Sequence, residues 1–116
     1  MKLRILMLSL VAVIGLTLAS VALSQSHATQ STVTVTAKEF KFVLSTKTVA
    51  HGTVTFKIKN GGKLPHDFKI SGKKTALIRP GKTVSLKVTL SKGSKPYQCT
   101  VAGHAAAGMK GNLKVT

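Results

Sequence analysis

The sequence predicts an all-β fold, an antiparallel β-sandwich with Greek-key connections that occupies residues 31–116 after an N-terminal signal segment. Apolar and polar residues alternate with a period of two, which is typical of half-buried strands. Glycine-containing turn signals separate the alternating segments, and no helical period follows the signal segment. Short strands at this spacing favour two packed sheets. The alternating apolar residues are Val33 and Val35; Phe40, Phe42 and Leu44; Val54, Phe56 and Ile58; Val84, Leu86, Val88 and Leu90; and Leu113 and Val115.

The chain begins with the features of a secretory signal peptide, which we assign to residues 1–24. Lys2 and Arg4 form a basic start, and an apolar run follows over residues 5–18. Small residues come next, as signal-peptide cleavage requires, and the most suitable site lies before Gln25. The sequence therefore predicts that the remainder of the chain is exported.

Two alternatives at this end stay open. Ser26–Ala28 offers a later cleavage site, and residues 5–23 are long enough to remain as an uncleaved membrane anchor. In either case we expect the domain in the periplasm or at the extracytoplasmic face of the membrane, with residues 25–30 as a short disordered start.

The composition excludes several kinds of active site. Lys and Arg together number 18, but Glu39 and Asp67 are the only acids, so the formal net charge is +16. Two acids leave almost no material for a hydrolase with paired carboxylates, a calcium site or a two-metal centre. The single cysteine, Cys99, excludes an internal disulfide framework. Without Lys2 and Arg4 the exported part carries about +14, mostly as lysine on the outward phase of the predicted strands.

Four residues of the predicted sandwich form a candidate metal site. Cys99, His104 and Met109 are separated by four residues each, and the strand phase points Cys99 inward. His66 lies upstream on the inward phase of the segment PHDFKI. Two imidazoles, a thiolate and a thioether are the donors of a blue-copper electron-transfer site.

Each of these residues alone has a simpler explanation. A lone cysteine is usually a buried apolar side chain, and a lone methionine usually fills space in a core. A histidine after Pro65 can simply be part of a turn, with its hydrogen bonds satisfied there. Their joint spacing and phase favour copper ligation. We expect the other two histidines to lie outside the site. His51 is in a turn with no sulfur partner, and His27 is either removed with the signal peptide or part of the frayed start of the exported chain.

The segments NGGKLPHDF and YQCTVAGHAAAGMKGNLKV resemble the cupredoxin family of type 1 blue-copper proteins, which includes plastocyanin and azurin. The loop spacing is most similar to that of rusticyanin and sulfocyanin. The resemblance implies one copper ion, with His66, Cys99 and His104 as equatorial ligands and Met109 as the axial ligand. It also implies a contact between the residues that follow the first histidine and the cysteine, which are Asp67 and Thr100 here. Such contacts orient ligands and tune the metal.

The resemblance also implies a function. Four protein ligands leave no open position for a small-molecule substrate, so we expect a carrier of single electrons and no enzyme. His104, followed by three alanines, is the expected port for electrons. The alternative is a protein that binds and delivers copper without transferring electrons.

The lysine excess predicts the kind of partner. We expect docking to acidic redox proteins, with an anionic membrane surface as a further candidate. Nucleic-acid binding is disfavoured, because the chain has few aromatic residues and no arginine-rich stripe. Nothing in the sequence indicates oligomers, so we expect a monomer.

Overall fold

The structure is a computed structural model that describes residues 20–22 and 30–116. The signal segment expected over residues 1–24 and the start expected over 25–30 therefore lie almost entirely outside the described residues. Within the described residues, no helix has the length and apolar character needed to cross a bilayer. The regular elements of the described ranges are nine strands: β1 Gln30–Lys38, β2 Lys41–Leu44, β3 Thr48–Val49, β4 Gly52–Asn60, β5 Lys69–Ile70, β6 Lys73–Lys74, β7 Thr83–Leu90, β8 Gly93–Gln98 and β9 Lys110–Val115.

The strands form two sheets, which confirms the predicted all-β sandwich. One sheet has four strands in the order β2-β1-β4-β7, and the other has five in the order β3-β9-β8-β5-β6. Most pairings are antiparallel, as expected. Two are parallel, β1 with β4 and β3 with β9. Alternation does not distinguish these arrangements, because a half-buried strand shows the same period in either direction.

The core lies between the sheets and follows the predicted phase, except at Phe40, which lies in the turn between β1 and β2 and is exposed. Val33, Val54, Phe56 and Leu113 are fully buried, and the lysines at the intervening strand positions are exposed. The core includes an aromatic cluster, with Phe68 packed against its three other members. These are Phe42, Phe56 and Tyr97, at centroid distances of 5.2, 5.1 and 5.6 Å from Phe68. Edge-on and offset ring pairs of this kind add to the apolar burial that holds the sheets together.

Candidate metal centre

The loop between β8 and β9 holds Cys99, His104 and Met109, and backbone hydrogen bonds close it. Cys99 N–H donates to the carbonyl of Met109 at 3.0 Å, and Met109 N–H donates to that of His104 at 3.1 Å. Gly103 and Gly108 have φ values of +82° and +116°, a conformation that other residues rarely adopt. The glycines let the chain reverse within the loop, so its backbone sets the relative positions of the three residues.

His66 reaches the same place from the segment between β4 and β5. Its backbone exchanges two hydrogen bonds with Ile78, of 3.1 and 2.7 Å, in an isolated antiparallel bridge. The preceding turn is held by Asn60, a fully buried residue at the end of β4. Asn60 Nδ2 donates to the carbonyls of Leu64 and Ile78, both at 2.8 Å, and Oδ1 accepts from Gly62 N–H at 2.9 Å.

The donor atoms of three predicted ligands converge in the protein interior. His66 Nδ1 lies 3.1 Å from His104 Nδ1, which lies 3.6 Å from Cys99 Sγ. One donor atom from each residue lies within 4.8 Å of the others, and all three residues are buried. Atoms that bind one transition-metal ion at about 2.0–2.3 Å each are separated by about 3–4 Å, so the spacing fits a single ion. The Met109 side chain is fully buried in the same loop, and the four residues together are typical of a type 1 copper site.

Asp67 braces the loop from the His66 side. Its Oδ1 accepts a 2.6 Å hydrogen bond from Thr100 N–H, and its Oδ2 accepts a short one from the Thr100 hydroxyl. The contact implied by the family resemblance is therefore present. Strand alternation places Asp67 outward, but the residue is buried because its carboxylate turns toward Thr100. Asp67 N–H also faces Cys99 Sγ at 3.5 Å, which orients the sulfur.

Comparison with known families agrees with this geometry. Residues 9–115 match the model of the family described as Cupredoxin-like domain. The chain belongs to this family. No curated protein sequence matches this cupredoxin.

Solved structures share the fold of this cupredoxin. Auracyanin A, a "blue" copper protein from Chloroflexus aurantiacus, superposes with a TM-score of 0.63 at 21% identity, covering 76% of this chain and 100% of that one. Reduced rusticyanin gives 0.61 at 21% identity, covering 78% and 82%. A blue copper oxidase from Nitrosomonas europaea gives 0.60 at 18% identity and 75% of this chain, but this chain covers only 39% of the oxidase. The fold thus occurs both in a small copper protein, auracyanin A, and as part of a larger oxidase.

Burial affects the acidity of the proposed thiolate in this cupredoxin. It raises the pKa of the Cys99 thiol above its ordinary value, opposed in part by hydrogen bonds from backbone N–H groups such as that of Asp67. A metal binds the thiolate, so loading the site releases this proton.

Glu39, in the turn between β1 and β2, is a site residue that the sequence did not predict. One carboxylate oxygen, Oε1, accepts hydrogen bonds from the N–H groups of Lys63 and Leu64, both at 2.7 Å. The same oxygen lies 3.2 Å from His66 Nε2. Backbone hydrogen bonds, of which the one from Leu64 has the largest effect, lower the pKa of Glu39 to about 2. In the sequence, the only signal that could have identified Glu39 is the rarity of acidic residues.

Phe40, the next residue, contacts the other histidine of the site. Its ring meets that of His104 edge-on, with centroids 5.0 Å apart and planes at 72°. Phe40 is 38% exposed, so it forms part of the surface beside His104. A single turn therefore contacts both imidazoles.

The structure places His51 away from the site, as expected. It is exposed, and its Nδ1 lies 2.9 Å from the carbonyl of Thr116. The expectation for His27 lies outside the described residues.

Proposed function

We propose that this cupredoxin binds one copper ion as a type 1 centre and transfers single electrons between redox proteins. His66, Cys99, His104 and the thioether of Met109 would hold the ion. The main support is the convergence of two Nδ1 atoms and one Sγ within 4.8 Å in a buried position. The loop spacing, most similar to that of rusticyanin and sulfocyanin, supports the same assignment.

The protein's contribution to electron transfer is a fixed set of donors. Copper, when bound, supplies the chemistry by alternating between Cu(II) and Cu(I). The Cys99–Met109 loop is closed by its own hydrogen bonds, and the two histidine rings pack against each other with centroids 5.0 Å apart. Donors held in this way change position little between oxidation states. Since all four residues are buried, a substrate has little room to reach the donors, which favours a carrier over an enzyme.

His104 is the proposed port for electrons. It is 8% exposed, against 0–1% for His66, Cys99 and Met109. Ala106 and Ala107 are exposed beside it. Small side chains here permit a partner to approach the imidazole edge closely.

We further propose that the protein is exported and that its partners are acidic. Both carboxylates of the chain are engaged at the site, Glu39 with backbone N–H groups and Asp67 with Thr100. The surface charge that remains is almost entirely lysine, which steers the protein toward acidic redox proteins or an anionic membrane. Association should weaken steeply as salt is raised from about 0.01 to 0.5 M, because screening shortens the range of the attraction. A flat salt response, measured with an acidic electron acceptor and with anionic vesicles, would exclude this kind of docking.

The principal experiment is a Cu(II) titration of the purified protein, followed in the visible spectrum. We expect an intense thiolate-to-copper band that is absent from Cys99→Ala and present in the surface control His51→Ala. A colourless protein would refute the copper site. Copper delivery, the alternative, requires donors that a recipient can reach, and burial of the donors disfavours it. A reversible one-electron voltammetric wave supports transfer, whereas rapid loss of copper to a chelator supports delivery.

A further inference from the structure

We propose that Glu39 is a positioning residue for the metal centre: its carboxylate holds the His66 ring in the one tautomer and orientation that direct Nδ1 at the other donors. This inference deepens the proposed function and rests on it for the identity of the metal. The tautomer itself is a property of the metal-free protein.

The contact between Glu39 and His66 determines where the imidazole proton lies. Glu39 Oε1 lies 3.2 Å from His66 Nε2, and a carboxylate only accepts hydrogen bonds. Nε2 therefore carries the proton, which leaves Nδ1 with a free lone pair. That Nδ1 is the atom 3.1 Å from His104 Nδ1, inside the donor cluster. The hydrogen bond thus selects the tautomer that a metal ligand needs.

The carboxylate is itself fixed, so it orients the ring instead of following it. Its Oε1 also accepts from Lys63 N–H and Leu64 N–H, both at 2.7 Å. Gly62 leaves the space that the carboxylate fills, because a Cβ at this position would collide with the Glu39 carboxyl group. The side chain is 28% exposed, whereas His66 has no exposed surface. Two backbone donors and the shape of the turn thus hold the acceptor in place before any metal arrives.

Charge gives Glu39 a second effect on the site. A carboxylate that accepts a hydrogen bond from a ligating histidine makes the imidazole a stronger donor. A stronger, more negative donor set stabilises Cu(II) more than Cu(I). We therefore expect Glu39 to lower the reduction potential as well as to orient His66.

Three variants separate these effects. Glu39→Gln retains an acceptor oxygen at this position but carries no charge. Glu39→Ala removes both the acceptor and the charge. Lys38→Gln is the control, since it changes the charge by one unit at the adjacent, exposed position of β1.

The first measurement is nitrogen NMR of the His66 ring in the metal-free protein. Wild type, Lys38→Gln and Glu39→Gln should show a proton on Nε2, and Glu39→Ala should show a mixture of tautomers or the opposite one. An unchanged tautomer in Glu39→Ala would overturn the proposal. If Glu39→Ala fails to fold, Gly62→Ala decides, because a Cβ at this position would displace the Glu39 carboxyl group. A shifted tautomer in Gly62→Ala supports the proposal, and an unchanged one refutes it.

The second measurement is copper affinity by chelator competition, together with the midpoint potential. Glu39→Ala should bind Cu(II) 10–100-fold more weakly. Glu39→Gln should mainly lower the affinity for Cu(II) relative to the affinity for Cu(I). Each tenfold fall in this ratio raises the reduction potential by 59 mV. A copper affinity within twofold of wild type together with an unchanged midpoint potential, in both variants, would contradict the positioning role. Failure of wild type to bind copper would instead refute the proposed function, while the NMR result would still decide the tautomer.

Discussion

Asn60 offers the sharpest test of how the fold positions the site. Its side chain makes three hydrogen bonds of 2.8–2.9 Å, and all three hold the turn that leads to His66. We predict that Asn60→Ala destabilises the protein by about 3 kcal/mol, since each hydrogen bond contributes about 1 kcal/mol net. In a domain of this size such a loss lowers the melting temperature by about 12–24 °C.

Urea denaturation of the metal-free protein, with thermal melting alongside, measures this loss. The midpoint should fall while the denaturant slope stays unchanged, because the surface exposed on unfolding stays nearly the same. Asn112→Ala is the matched control, an identical substitution at an exposed position of β9, and it should change stability by less than about 0.5 kcal/mol. Copper affinity should fall in Asn60→Ala and not in Asn112→Ala, because only the first variant releases the His66 turn. A loss below about 1 kcal/mol in Asn60→Ala would refute the claim that these hydrogen bonds hold the turn.

Three other substitutions test the loop, the axial donor and the core. Thr100→Val removes the hydroxyl that donates to Asp67, and it should cost about 1.5 kcal/mol in urea denaturation; an unchanged midpoint would contradict a structural role for this hydrogen bond. Met109→Leu conserves volume and should cost less than about 1.5 kcal/mol, but voltammetry should show a raised potential, and an unchanged potential would exclude Met109 as the axial donor. Phe68→Ala should cost about 3–5 kcal/mol in thermal melting, whereas Val43→Ala at an exposed position should stay within about 0.5 kcal/mol; similar losses in both would refute the assignment of the core.

The sequence predicted the faces of the strands but not all of their neighbours. Alternation reports which side chains point inward, so the buried positions of Val33, Val54 and Phe56 followed directly. It carries no information on which strand lies beside which. The parallel pairing of β1 with β4 depends on how the chain crosses between the sheets, a property of the whole fold.

The candidate site was likewise predicted only in part from the sequence. One loop holds Cys99, His104 and Met109, so their spacing alone identified them as candidate ligands. The family resemblance identified Asp67 and Thr100. Glu39 lies 27 residues from His66 in sequence, and the two meet only because two turns pack together. In the sequence Asn60 is simply the first residue of the segment NGGKLPHDF, and its buried hydrogen bonds are evident only in three dimensions. Contacts between distant turns leave no local pattern in a single sequence.

The placement of three proposed ligands within residues 99–109 affects how strongly copper stabilises the fold. A ligand stabilises a protein only by the difference between its affinities for the native and unfolded chains. The unfolded chain keeps a thiolate, an imidazole and a thioether on one short flexible segment, so it retains considerable affinity for copper. The native state adds His66, the buried surroundings and a fixed geometry. Copper should therefore raise the melting temperature by less than its affinity for the folded protein implies, and the shortfall measures how much of the site exists before folding.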